Sequence, residues 1–202
     1  MTHQKRSRRG FVRGIEANGS AGELEQMAFL KTGVAAAVMV GLIATGALAQ
    51  SQSTNRVAAQ TDWSVFVEDN PTECWGVSTP KQSVNSRDGR VVAVNRGQTL
   101  LMVFYRPSAG ASGQVAFTGG YPFASGSTVT LDIGGTAFEL FTEGEWAWPA
   151  TTADDSKIIA SMKRGADAKL TGRSGRGTQT EDTFSLLGFT AAVEDAAKRC
   201  GG

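Results

Sequence analysis

The 202-residue chain has one histidine, His3, and two cysteines, Cys74 and Cys200. Histidine is the usual general base near neutral pH and a principal zinc ligand. With its single copy so close to the start, Ser-His and Cys-His catalysis and most zinc sites are excluded from the rest of the chain. The cysteines lack the Cys-x-x-Cys spacing of a redox motif. An excess of one charge is missing as well: 20 Lys and Arg stand against 19 Asp and Glu. Residues 1–49 hold six bases and three acids, which leaves 14 bases, 16 acids and about −2 for residues 50–202. No basic face for nucleic acid follows from that balance. Glycine is abundant, with 25 residues, and favours many tight turns.

One apolar run stands out, in MAFLKTGVAAAVMVGLIATGALAQ from Met27 to Gln50. Lys31 flanks it, and Ala47 and Ala49 are the small residues that signal peptidase requires, so cleavage is expected after Ala49. A membrane anchor is the competing reading, but Gly33 to Ala49 is rich in Ala and Gly and falls just short of the roughly 18 residues of a span. Residues 1–49 are therefore read as an N-terminal extension plus signal peptide, with Met27 as an alternative start. No stable membrane span is expected after cleavage, and the mature chain is expected in the periplasm or secreted. Export puts Cys74 and Cys200 where disulfides persist. A disulfide between them is expected and would close most of the mature domain; the alternative is two buried free thiols.

Residues 50–61 are polar and read as a flexible leader. The domain is expected over residues 62–202. WSVFVED, from Trp63, alternates with a period of two, as a strand does. Further strand signals are CWGV, RVVAVNRG, TLLMVFYRP, GQVAF, STVTLDI and TAFELFTEG, punctuated by Asp88-Gly89, Arg96-Gly97 and Gly134-Gly135. Gly134-Gly135 is the strongest hairpin signal, because hairpin turns need positive φ at their centre. TADDSKIIASMKRGA changes to a helical period, with Asp154 or Asp155 as its cap and Gly165 as its stop. A last helix is expected from an N-cap at Thr190, with Val193, Ala196, Ala197 and Cys200 on one side. Nine or ten strands with these two helices predict a mainly β fold: an antiparallel β-sandwich with one mid-chain helix and a C-terminal helix.

Candidate chemistry is sparse. Glu143 and Glu145 precede Trp146 and Trp148, a combination a glycan-binding or glycosidase cleft can use, but the stretch reads first as an exposed strand end beside core tryptophans. Asp69, Asp88 and Asp132 fall at turns without EF-hand spacing. GRSGRG, Gly172 to Gly177, has glycines and arginines suited to phosphate but no Walker lysine, and reads as a hairpin turn with Arg173 and Arg176 at a basic tip. In GGYPF, Tyr121 and Phe123 are either partner anchors or rings that cap the core.

DWSVFVED with CWGV early, RVVAV and LLMVFYRP in the middle, and FSLLGFTAAVEDAAKRC at the end resemble the invasion-associated locus B family, from Trp63 to Cys200. The resemblance implies an exported, β-rich, alphaproteobacterial-type envelope protein without a known catalytic centre, in a family linked by name to host-cell entry. It departs at mid-chain, where relatives often carry a second cysteine pair and this chain has FELFTEGEWAWP. The expected function is a non-enzymatic exported protein, without cofactor or metal, that binds an envelope or host protein. Its candidate partner surface is Tyr121, Phe123, Trp146, Trp148, Arg173 and Arg176. The alternative is a carbohydrate-binding or glycan-active protein using Glu143, Glu145, Trp146 and Trp148.

Overall fold

The computed structural model describes residues 53–201. The extension, the signal segment and the cleavage point lie outside them. Twelve strands are present: β1 (Arg56–Gln60), β2 (Trp63–Asp69), β3 (Thr72–Ser78), β4 (Gln82–Arg87), β5 (Arg90–Val91), β6 (Leu100–Arg106), β7 (Ala111–Thr118), β8 (Thr128–Ile133), β9 (Thr136–Glu143), β10 (Trp146–Trp148), β11 (Asp167–Arg173) and β12 (Gln179–Ser185). Helix α1 (Thr152–Met162) lies between β10 and β11, and helix α2 (Phe189–Arg199) follows β12. All pairings are antiparallel, in the order β1-β2-β3-β6-β7-β10-β9-β8-β11-β12-β4-β5.

The mainly β architecture with a mid-chain and a C-terminal helix is therefore as expected. Where a two-sheet sandwich was expected, there is one twelve-stranded sheet that curls back on itself. Trp63 sits on the second strand of that order and Ser185 on the tenth. Eight strand spacings would separate them by roughly 38 Å on a flat sheet. Instead the Trp63 indole Nε1 donates to the Ser185 carbonyl at 3.0 Å. Phe117 on β7 and Phe184 on β12 likewise meet edge to face at 6.1 Å.

Alternation sorts the side chains between the enclosed and the outer face. Val65, Cys74, Leu101, Val103, Phe117, Leu131, Leu140, Leu170 and Phe184 point inward, each fully shielded from solvent. WSVFVED is the strand β2 with the expected bounds. Gly134 (φ 58°) and Gly135 (φ 85°) make the β8–β9 turn, and the Asp132 carboxylate accepts from the Gly135 amide.

Four local readings change, the last of them at the start of α2. Arg56–Gln60, expected within a flexible leader, pairs with β2 as an edge strand. RVVAVNRG contributes only Arg90–Val91 to the sheet, with Val91 78 % exposed. The rest of that run leaves the sheet as an irregular segment. The cap of α1 is Thr151, whose hydroxyl accepts from the Asp154 amide, with Asp154 and Asp155 in the first turn.

Asp155 instead reaches across to β7 and accepts from the Val115 amide at 2.8 Å. Burial pushes its carboxyl above the ordinary carboxylate range, and the nearby Asp154 charge adds to this, against the opposing pull of the Val115 hydrogen bond. A raised folded-state value means that the fold binds the proton more tightly than the unfolded chain does. The stabilisation this gives is complete below the unfolded value and is lost as pH rises through the folded one. Asp155→Asn keeps an acceptor for Val115 without the charge. Its urea midpoint relative to the parent is expected to rise on going from acid to neutral pH. A pH-independent difference would contradict this account.

Helix α2 is capped two residues earlier than expected. Its N-cap is Gly188 (φ 88°), which makes no side-chain cap, rather than Thr190. A Cβ on Gly188 would lie 1.9 Å from the Gln60 carbonyl oxygen, so this close approach requires glycine. Phe189, Ala192, Val193 and Ala196 bury one side of α2 against β2 and β3. Burying Phe189 and Val193 contributes roughly 1.5–3 kcal/mol each. Gly76 on β3 lies beneath the helix, where a Cβ would sit at ordinary contact distance, 3.6 and 3.7 Å, from Val193 and Ala192. The last turn of α2 delivers Cys200 to Cys74 on β3, and the two are bonded, with Cα atoms 5.8 Å apart.

Candidate functional site: a polar cleft and an aromatic outer face

The irregular segment after β5, the loop after β7 and the β11–β12 turn converge on a cleft of about 660 Å³. Arg96 anchors its floor. Its Nη1 and Nη2 donate to the two oxygens of Asp182 on β12 at 2.8 and 2.6 Å, and its Nε donates to the Gly119 carbonyl at 2.9 Å. Ser83 adds a hydroxyl donor to Asp182. The Arg96 guanidinium also lies over the Tyr121 ring, 5.1 Å from its centroid. Tyr121 shares a hydrogen bond with the Thr180 hydroxyl. Burial pushes its phenol above the ordinary range, although Thr180 and the Arg96 charge pull the other way.

The two loops meet backbone to backbone. The Gly97 amide donates to the Gly120 carbonyl at 2.8 Å, and a Cβ on Gly120 (φ +71°) would come within 2.5 Å of the Gly97 oxygen. Ser174–Thr178 closes as a tight turn, with the Thr178 amide donating to the Ser174 hydroxyl. GRSGRG is thus a hairpin turn, as expected, and the same turn presents Arg176 at the wall of the cleft.

The second feature is the outer face of the sheet. Phe66, Trp75 and Phe104 are register partners on β2, β3 and β6. Phe66 stacks on Trp75 at 5.6 Å, and Trp75 meets Phe104 at 5.9 Å. The Arg106 guanidinium lies 4.1 Å from the Phe104 centroid. Its Nε is in ion-pair contact with Glu73 at 3.0 Å, but too oblique for a hydrogen bond. Trp146 and Trp148 continue the strip onto β10. With Phe104, Arg106, Gln114 and Ala116 they line a shallow groove of about 300 Å³. Phe141, the register partner of Trp148, is 52 % exposed and Trp146 is 38 % exposed.

The residues singled out from the sequence are thereby divided. Phe123 is not available as an anchor: it packs edge to face on Tyr121 at 5.0 Å and is buried in the core. Tyr121 is half-buried at the cleft rather than displayed. Arg173 and Arg176 are exposed, and of the two Arg176 lines the cleft. Trp146 and Trp148 lie on the outer face. Glu143 pairs in register with Trp146, while Glu145 lines the cleft. The four residues of the glycan alternative therefore do not form one site. Sequence reasoning missed Arg87, Arg96 and Asp182 in the cleft and Phe66, Trp75 and Phe104 on the outer strip. Among the described residues, no three or more His, Cys, Asp or Glu side chains gather as a metal site would require. No helix among them is long and apolar enough to cross a membrane.

These features define a class: an antiparallel β protein clasped by one disulfide, with a polar cleft and an apolar outer face. The profile of the Invasion associated locus B (IalB) protein family matches residues 63–197, and the chain belongs to that family. The fold is similar to the crystal structure of invasion associated protein B from Bartonella henselae, with a TM-score of 0.50 and 16 % identity over 72 % of this chain and 98 % of that one. At that identity the likeness speaks for the fold. A comparison with curated proteins finds no match.

Proposed function

We propose that this IalB-family chain is an exported, non-enzymatic envelope protein that binds another protein through the aromatic strip of its outer face. The strip carries the reading. Apolar and aromatic side chains continue across six neighbouring strands, from Phe66 on β2 to Phe141 on β9; Trp75, Met102, Phe104 and Ala116 in the middle of the strip are buried, and Trp146 and Phe141 at its β10–β9 end are open to solvent. Exposed aromatic side chains at the end of an apolar face mark a docking surface for proteins, and Trp and Arg are the residues that most often anchor one. Export is supported by the signal segment ending at Ala49 and by the Cys74–Cys200 bond, which suits an oxidising compartment. The partner is taken to be an envelope protein. A host-surface protein, which the name of the Bartonella relative brings to mind, is the other arm of the test.

A photo-crosslinking residue placed at Trp146 or Phe141 in living cells, with and without host cells, is expected to give one discrete protein adduct. The same residue at Leu187, also exposed and on the β12–α2 connection, is expected to give none. Phe141→Asp should abolish the adduct formed from position 146 while shifting the melting temperature by less than about 3 °C, since surface substitutions seldom cost more than about 0.5 kcal/mol. Equal adducts from all three positions, or none from the strip, would refute the proposal.

A further inference from the structure

The cleft has no part in the outer-face reading, and its charges point to a ligand of its own. Arg96 is spent internally, since Asp182, Asn85 and Gly119 take up its donors. Two other guanidinium groups line the opening. Among the described residues, Arg87 engages one partner, donating from Nη2 to the Thr178 hydroxyl at 2.7 Å. That bond holds the group at the cleft wall and leaves most of its five N–H donors for a ligand. Arg176 follows on the rigid Ser174–Thr178 turn, with no carboxylate of a described residue in salt-bridge contact with it. Glu145 lines the same opening, also without such a partner.

Two guanidiniums without a carboxylate partner among the described residues call for an anion. A lone carboxylate beside them would repel a simple anion and calls for hydroxyl or amine donors. A ligand that carries an anionic group and several hydroxyls satisfies both demands. We propose that this cleft binds an anionic sugar, phosphorylated or carboxylated, with Arg87 and Arg176 on the anionic group and Glu145 accepting from ring hydroxyls. The volume of about 660 Å³ is in the range of small-molecule sites and has room for one or two sugar units. The floor is pre-organised, since Arg96–Asp182 and Gly97–Gly120 fix the loops before any ligand arrives, which reduces the ordering cost of binding. The remaining polar lining, Asn95 and Ser174, suits sugar hydroxyls.

The test is calorimetric titration of the oxidised chain with glucose 1-phosphate, glucuronic acid, glucose, inorganic phosphate and glutamate. Vesicles with and without a phosphorylated glucosamine lipid form a parallel arm. At least one anionic sugar is expected to saturate the site, with glucose and inorganic phosphate each weaker by about tenfold or more. Binding in solution points to a free sugar and binding on vesicles alone to a lipid headgroup; either supports the assignment. Arg87→Ala and Arg176→Ala, both at exposed positions, should each weaken binding about ten- to a hundredfold, as expected for losing a charge-assisted hydrogen bond. Glu145→Gln should weaken the sugars but not inorganic phosphate. Arg173→Ala, at the end of β11 and outside the lining, should leave affinity within about twofold. The proposal falls if no anionic sugar binds on either arm, if glutamate or inorganic phosphate binds as well as the sugars, or if the Arg87 and Arg176 variants bind like the parent.

Discussion

Reducing the bond between Cys74 and Cys200 is expected to destabilise the domain by about 5 kcal/mol. The two cysteines are 126 residues apart in sequence, and closing a loop of that size in the unfolded chain removes about that much free energy of conformational entropy. For a domain of this length, that corresponds to a melting temperature lower by roughly 10–20 °C. The loss should act through the unfolded chain more than through the native contacts. Phe189, Val193 and Ala196 still bury the inner side of α2, and Trp63 still meets Phe189 at 4.8 Å. Helix content by circular dichroism should therefore persist in the reduced protein below its lower transition. The Cys74→Ala/Cys200→Ala double variant should melt like the reduced parent, which separates the covalent effect from any effect of the reductant. Mass spectrometry of the unreduced protein must show no free thiol. Two free thiols, or a reduced protein melting within about 3 °C of the oxidised one, would refute the clasp.

The parts of this fold that were legible in the sequence are those decided by neighbours along the chain. Trp63, Val65 and Val67 alternate with Ser64, Phe66 and Glu68, and β2 has the expected bounds. Gly134-Gly135 adopts the positive φ values that its turn requires. Ile158 and Met162 set the buried side of α1. Failures came where distant segments decide. RVVAV has the composition of a strand, but only Arg90–Val91 pairs with β4; further on, Arg96 is drawn to Asp182 and Gly97 to Gly120, partners that lie far away in sequence. The segment becomes cleft wall instead. The outer strip was half-visible: alternation put Phe66 opposite the core residues of β2, yet only the β2–β3–β6 register brings Trp75 and Phe104 beside it. The Tyr121 and Phe123 rings were inviting as exposed anchors. Gly119 and Gly172 explain why they fold inward, since a Cβ on either would crowd both rings at 3.0 Å. The cleft itself was illegible, because its floor joins residues 86 positions apart.

That floor is where the second large effect is expected. Asp182→Ala should cost about 3–5 kcal/mol, the range for breaking a buried ion pair by removing one partner. The Asp182 side chain is wholly shielded and that of Arg96 is 9 % exposed, so solvent cannot replace the lost carboxylate. Asn85 and Gly119 would remain as neutral acceptors for a charged group that needs more. Added salt should change this loss little, because buried charges are weakly screened, whereas the exposed Lys157–Asp154 pair should contribute little at any ionic strength. Arg96→Met/Asp182→Leu removes both charges at similar volume and is expected to lie within about 2 kcal/mol of the parent, since much of the single-variant loss is the penalty of the orphaned guanidinium. Urea midpoints for the three proteins decide the matter: a loss below about 1 kcal/mol for Asp182→Ala would show the pair to be incidental. The double variant also separates stability from the cleft. It should fold, yet without the guanidinium over Tyr121 and at Gly119 the loops lose the charge that fixes them, so anionic-sugar affinity should fall even though Arg87 and Arg176 are untouched. Parent-like affinity in a stable double variant would mean that the ion pair serves the fold alone.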